Sequence, residues 1–228
     1  MWGLTSRAWL PEQVSITFAT PGFNDRTMST DSQPRFRVVG SDPAPPGRLL
    51  RPIVLVGLMG AGKTAVGRRL AAALGVAFAD ADEAIVEAAG MSIPDIFEVY
   101  GETAFRDLER RVVVRLLDEA TGVLALGGGA FMSETTRQAI REQGLAVWLK
   151  ADLDLLMSRV LRRPGTRPLL NTPDPRATLR ELQEMREPVY ALADIHVESS
   201  SISKGHTRDA VLAALAEKLL GPQDIPSV

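Results

Sequence analysis

The 228-residue chain contains no cysteine and only two histidines, His196 and His206. The first absence excludes disulfides, thiolate metal sites and cysteine nucleophiles, and it fits a reducing cytoplasm. Two imidazoles argue against a histidine-rich metal centre and against a Ser-His triad. The net charge is only -2, from 26 basic and 28 acidic side chains, which argues against a nucleic-acid-coating surface. No apolar run approaches the roughly 20 residues of a membrane helix. The first 30 residues lack the apolar core of a secretory signal, since Pro11 and Glu12 interrupt the one candidate stretch, and Glu12, Asp25 and Asp31 count against a transit peptide. What remains is a cytoplasmic protein with neither a nucleic-acid nor a membrane partner, long enough for one α/β domain and an appendage.

Within it, the apolar run Pro52-Ile53-Val54-Leu55-Val56 leads into Gly57-Leu58-Met59-Gly60-Ala61-Gly62-Lys63-Thr64 and then Ala65-Val66-Gly67-Arg68-Arg69-Leu70. The order is strand, glycine loop, helix. Glycines at 57, 60 and 62 let the backbone take positive φ and bring N–H groups around an anion. The helix that follows adds its N-terminal N–H groups, Lys63 reaches the β and γ phosphates, and the Thr64 hydroxyl suits Mg²⁺. A plain glycine turn would need neither Lys63 nor Thr64 at these offsets.

Residues 1–50 carry six prolines and no sustained period of 3.6 or 2, so they read as a disordered extension; a partner-binding arm is the other reading, and Met28 offers an alternative start. After the first strand, residues 65–74 form a helix stopped by Gly75, and residues 76–79 a short strand that delivers Asp80 and Asp82 at its C-terminal end. Two carboxylates so spaced face one cleft only if the strand has already turned; they suit Mg²⁺ and a substrate hydroxyl, or else a cap for a helix over 83–89. Ser92 and Asp95 form a capping box for a helix broken near Gly101. The next helix buries Phe105, Leu108, Val112 and Leu116, and on it Arg106 and Glu109 are spaced for a solvated i,i+3 pair.

A buried strand at 123–126 ends in Gly127-Gly128-Gly129, read as a substrate wall of bare peptide groups or as a tight turn. A helix over 134–143, a strand over 145–149 and a helix over 152–161 follow. Residues 162–170 are basic and broken by Pro164, Gly165 and Pro168, which suits a lid carrying positive charge over phosphate, or a solvated loop. The helix over 179–190 carries Arg186 and is bent or ended by Pro188. A strand at 194–197 holds His196 in a structural role, and a helix over 207–220 closes the domain at Gly221-Pro222. Strands alternating with helices behind a phosphate loop predict an α/β three-layer sandwich around a five-stranded parallel sheet.

Several ordered motifs resemble shikimate kinase: G-L-M-G-A-G-K-T at 57–64, F-A-D-A-D at 78–82, the run S-I-P-D-I-F-E-V-Y-G-E-T-A-F-R-D-L-E at 92–109, G-G-G at 127–129, R-P-L-L at 167–170 and R-E-P-V-Y at 186–190. The resemblance covers about residues 51–199. It implies a nucleoside-monophosphate-kinase-like P-loop fold with a lid, transferring the ATP γ-phosphate to the 3-hydroxyl of shikimate in aromatic amino acid biosynthesis. It further implies that Asp82, Arg106, Gly127, Gly128, Gly129 and Arg186 hold shikimate, with Lys63, Asp82 and Arg167 in the catalytic roles. Gly60, Ala61, Gly62, Lys63, Thr64, Ala65, Arg163 and Arg167 would bind ATP, and Thr64 and Asp80 would serve Mg²⁺, Asp80 through water. The lid between Arg162 and Arg167 is short for the family, so adenine stacking falls to Arg162 or Arg163, and the extension has no counterpart in the minimal pattern. The expected organisation is an extension at 1–50, a kinase domain at 51–222 and a tail at 223–228, acting as a monomer.

Two other readings compete with this one. A gluconate kinase would leave two carboxylate-binding arginines without a ligand, and a guanine-nucleotide switch would need an N-K-x-D motif, which occurs nowhere in the chain.

Overall fold

The computed structural model describes residues 51–119, 122–162, 168–170, 172–199 and 203–220. All lie in one compact unit, Phe36–Val228. The extension over 1–50, the tail, Gly221-Pro222 and the lid arginines Arg163 and Arg167 fall outside the described residues.

Five parallel strands form one sheet in the order β2-β3-β1-β4-β5. They are β1 (Ile53–Val56), β2 (Phe78–Asp80), β3 (Val123–Ala125), β4 (Leu145–Lys150) and β5 (Ile195–Glu198). The central strand β1 pairs Ile53 with Val123 on one side and with Leu145 on the other. All four of its residues are buried, as a parallel strand covered by helices on both faces requires. The chain runs from β1 outward to β2, returns through β3, and then crosses to β4 and β5. The reversal beside β1 opens a crevice at the C-terminal strand edge, the usual ligand position in such sheets.

Helices α1 (Lys63–Leu74) and α7 (Lys204–Leu220) pack together, as do α2 (Ala81–Ala89) with α3 (Ile93–Glu119), and α3 with α4 (Glu134–Gln143). Helices α5 (Leu153–Val160) and α6 (Pro175–Tyr190) frame the remaining side of the crevice. The result is the three-layer sandwich with five parallel strands expected from the sequence. No helix among the described residues is long and apolar enough to cross a membrane.

Two local departures from the expected elements, and one expected break, matter for the site. Strand β2 starts two residues later than expected and runs on to Asp80, and α2 begins at Ala81 with no intervening turn. The two carboxylates are therefore separated by a strand end and a first helical turn. Helix α3 is interrupted at Gly101, as anticipated, where φ 79 and ψ 173 leave the helical region; Ser92 and Asp95 make the capping box, with Asp95 N–H 3.3 Å from Ser92 Oγ. Helix α6 starts four residues early because Asp174 accepts the N–H groups of Arg176 and Ala177 at 3.0 Å each, with Pro175 at the first helical position. It also runs through Pro188 to Tyr190, so the proline falls inside the last turn without ending it.

Candidate active site

The loop between β1 and α1 takes φ 135 at Gly57, 85 at Gly60 and 98 at Gly62, a region that side chains with a Cβ rarely enter. Gly57 is required twice over, since a Cβ there would lie 2.6 Å from the Leu149 carbonyl oxygen. Lys63 folds back over the loop and donates from Nζ to the Gly57 and Leu58 carbonyls at 2.8 and 3.0 Å. Its ammonium group thus spans the concavity in which a phosphate chain would lie, beside the N-terminus of α1.

At the neighbouring strand end, Thr64 Oγ1 donates to Asp80 Oδ2 at 2.7 Å, while Asp80 Oδ1 accepts the Asp82 N–H at 3.0 Å. Asp80 therefore is the helix cap, and it also faces the phosphate loop. The cap alternative belongs to Asp80 and not to Asp82, whose carboxylate is left directed at Gly127: a Cβ on Gly127 would come within 2.7 Å of Asp82 Oδ1. The hydroxyl and carboxylate of Thr64 and Asp80 are hard oxygen donors, a set that fits Mg²⁺, which takes most of its ligands from water and phosphate.

Beyond the glycines lies a cavity of about 560 Å³, counting its open mouth. Its polar lining is Asp82, Arg106, Glu109 and Arg186, its floor Gly127–Gly129, and its apolar walls include Met59, Phe97, Phe105 and Leu169. Each glycine of the floor has a separate reason to lack a side chain. A Cβ at 127 would strike the Asp82 and Glu109 carboxylates, one at 128 would come 3.3 Å from Met59 N in the phosphate loop, and one at 129 would lie 2.4 Å from Arg106 Nη1. The tight-turn alternative would explain one glycine; these contacts explain all three.

Arg106 pairs with Glu109 at 2.8 Å and with Glu102 at 2.9 Å. The solvated i,i+3 pair considered from sequence is corrected here: Glu109 is only 3% exposed. Burial pushes its carboxyl up from the ordinary glutamate value, and Arg106 pulls it only part of the way back. Burial also works against the Arg106 charge, but Glu109 and Glu102 outweigh it, so the guanidinium holds its proton more firmly than usual. Opposite, Arg186 is 7% exposed and donates from Nη1 to the Gly128 carbonyl at 3.1 Å. The Tyr190 hydroxyl donates to the same carbonyl, and burial pushes that phenol up to about 12, which keeps it a donor.

The structure thus brings together Lys63, Thr64 and Asp80 at the phosphate loop, and Asp82, Arg106, Glu109 and Arg186 around the glycine-floored cavity. Arg162 is exposed just past α5. His196 sits edge-on to Trp148 with Nε2 3.1 Å from the Ala191 and Ala193 carbonyl oxygens, the structural role expected of it. Sequence reasoning missed Tyr190, the burial of Glu109, and the pair Arg159 and Ser199, which hold the outside of the phosphate loop. For Glu109 a signal existed: it lies next to Leu108 and three residues before Val112, on the buried stripe of α3.

A mononucleotide cradle at the end of β1, opening onto a pocket of carboxylates and guanidinium groups, defines a P-loop kinase for a small molecule. Comparison with known proteins narrows that class. The family model described as shikimate kinase matches residues 59–219. The chain is 56% identical over 175 residues to shikimate kinase of Ruegeria pomeroyi, covering 75% of this chain and 87% of that one. It is 53% identical over 169 residues to that of Rhodopseudomonas palustris, covering 74% and 83%. Among solved structures it is similar to shikimate kinase from Acinetobacter baumannii in complex with shikimate, at TM-score 0.72 and 37% identity over 75% of this chain and 96% of that one. The chain belongs to the shikimate kinase family.

Proposed function

We propose that the chain transfers the γ-phosphate of ATP to the 3-hydroxyl of shikimate, giving shikimate 3-phosphate and ADP, a step of aromatic amino acid biosynthesis. The observation that carries the reading is the pocket beside the phosphate loop, in which Asp82 stands among two guanidinium groups across a floor of bare glycine backbone. Shikimate is a carboxylate with three hydroxyls, and planar guanidiniums bind carboxylates by paired hydrogen bonds.

In this reading Arg106 and Arg186 grip the acceptor carboxylate, and the amides of Gly127–Gly129 approach the ring. Asp82 accepts a hydrogen bond from the attacking hydroxyl and takes its proton as the new P–O bond forms. The bond from the γ-phosphorus to the bridging oxygen breaks, and ADP leaves with the electron pair. Lys63 gives up the Gly57 and Leu58 carbonyls for the β and γ phosphates, which the backbone N–H groups from Gly60 to Ala65 surround. Arg163 and Arg167 add positive charge from the lid. Thr64 and Asp80 would hold Mg²⁺, which would supply charge neutralisation at the phosphates when bound. Catalysis is then mainly positioning and electrostatic stabilisation. The kinase domain occupies 51–222, between an extension and a short tail, and the 24.6 kDa chain acts as a monomer in the cytoplasm.

A coupled assay of ADP release with shikimate, with gluconate and with no acceptor tests the reading. Turnover should require shikimate. Equal turnover with gluconate, or slow turnover independent of any acceptor, would overturn it.

A further inference from the structure

The phosphate loop is gripped by its carbonyls as well as formed by its glycines. Arg159, in the last turn of α5, places Nη1 3.1 Å from the Gly60 carbonyl oxygen, 3.1 Å from that of Ala61 and 3.0 Å from Ser199 Oγ. Ser199, just past β5, donates its hydroxyl to the Ala61 carbonyl at 2.8 Å. Its own N–H donates to the Lys150 carbonyl at 2.6 Å, so the end of β4 fixes where that hydroxyl stands. Ser199 is 7% exposed, and the hydroxyl is used in both directions, accepting from Arg159 and donating to Ala61.

Every peptide bond among the described residues is trans. In a trans peptide the C=O of one residue and the N–H of the next point in opposite directions. The peptide that carries the Gly60 carbonyl is held from its other side too, since the Ala61 N–H donates to the Leu58 carbonyl at 3.2 Å, while holding the Ala61 carbonyl aims the Gly62 N–H. Glycines on both sides of Ala61, at φ 85 and φ 98, leave these two peptide planes little intrinsic resistance to rotation. The two donors select one orientation. A guanidinium on the carbonyl side also polarises the peptide, which strengthens its N–H as a donor to an anion.

We propose that Ser199 is a positioning residue for the nucleotide: with Arg159 it holds the Ala61 carbonyl so that the Gly62 N–H is presented to a phosphate. The proposal rests on the loop being the ATP site. Nothing in the loop's own sequence requires a serine 138 residues further along the chain, so the assignment depends on the contact alone.

The test compares Ser199→Thr, Ser199→Cys and Ser199→Ala in the full chain. Affinity for Mg·ADP is measured by calorimetry, KM for ATP and for shikimate by steady-state kinetics, and exchange of the 57–64 amides by hydrogen–deuterium exchange. Ser199→Ala should weaken Mg·ADP binding and raise KM for ATP by about fivefold to tenfold, the scale of one lost hydrogen bond. KM for shikimate should stay within about twofold, and amide exchange over 57–64 should quicken while β1 stays protected. Threonine should restore wild-type behaviour, and cysteine, a weak donor, should fall between. Unchanged ATP parameters, equal rises in both KM values, or a lower Tm with both KM values unchanged would each overturn the proposal. Absence of Mg·ADP binding by the wild-type chain would instead overturn the ATP-site reading itself, and this proposal with it.

Discussion

Arg106 lies against Gly129 so closely that a β-carbon on the glycine would come 2.4 Å from Nη1 and 2.7 Å from Cζ. Gly129 itself has φ -101 and ψ -18, a conformation open to any residue, so its lack of a side chain reflects this contact and not its backbone.

Gly129→Ala should therefore displace the guanidinium while leaving the fold intact, because the far end of an arginine moves more easily than a backbone. KM for shikimate should rise about tenfold, the loss of roughly one charge-assisted hydrogen bond, with KM for ATP little changed. Wild-type kinetics in the alanine variant would show that Arg106 does not work from the position in which it lies.

Glu109→Gln addresses the buried partner of the same arginine. The folded chain raises the Glu109 carboxyl above its ordinary value of 4.5, so it binds a proton more tightly than the unfolded chain does. Its contribution to stability is then full below pH 4.5 and is lost as pH rises through the folded value. The Tm of wild type relative to the glutamine variant should accordingly fall as pH rises above the ordinary value of 4.5, in thermal melts at roughly half-unit steps. A difference that grows with pH would mean that Arg106 dominates burial at this site.

Asp82→Asn should lower kcat by at least about a hundredfold, the lower end for a positioned general base, with a modest effect on KM for ATP. Since Asp80 caps α2, the substitution should leave Tm nearly unchanged. Near-normal kcat would remove Asp82 from the chemistry.

Arg186→Lys keeps the charge but loses the planar fork. The lysine can still donate to the Gly128 carbonyl, yet kcat/KM for shikimate should fall by about 1.5 to 3 kcal/mol while KM for ATP moves little. An equal rise in both KM values would place Arg186 outside the acceptor site.

Deleting residues 1–47 should leave kcat and Tm within error of the full chain, since that stretch offers little periodic apolar surface to pack on a kinase core. A clear drop in either would make the extension part of the working domain.

The sheet was legible because β1, β3 and β4 are short, mainly apolar runs, while β5 alternates as Ile-His-Val-Glu, and β1 with its glycine loop could be placed to the residue. Boundaries failed where a side chain decides them: Asp174 lengthens α6 and Asp80 starts α2 at once, and in each case the cap is an ordinary aspartate among several. The phosphate loop could be read because its chemistry is local, and the roles proposed for Asp82 and the three glycines rest on the same kind of local signal. Tyr190, Arg159 and Ser199 could not be read, because their roles come from contacts between distant elements, whereas the burial of Glu109 was signalled by its place on the apolar stripe of α3. Tyr190 meets Gly128 across 62 residues and Ser199 meets Ala61 across 138. Spacing along one helix suggested that Arg106 and Glu109 pair, but only packing against the sheet decides that the pair is dry on one side.

The wall at Gly128 has a consequence for redesign. A Cβ on Gly128 would lie between the phosphate loop and the cavity, 3.3 Å from Met59 N and 3.8 Å from Arg186 Nη1. A methyl group there would press on Met59 N but only touch Arg186 Nη1, so substitution of the wall should be felt first on the phosphate-loop side. On the proposed function, a changed acceptor range is better sought at Ile93 and Phe97, which precede the break at Gly101 and line the same cavity.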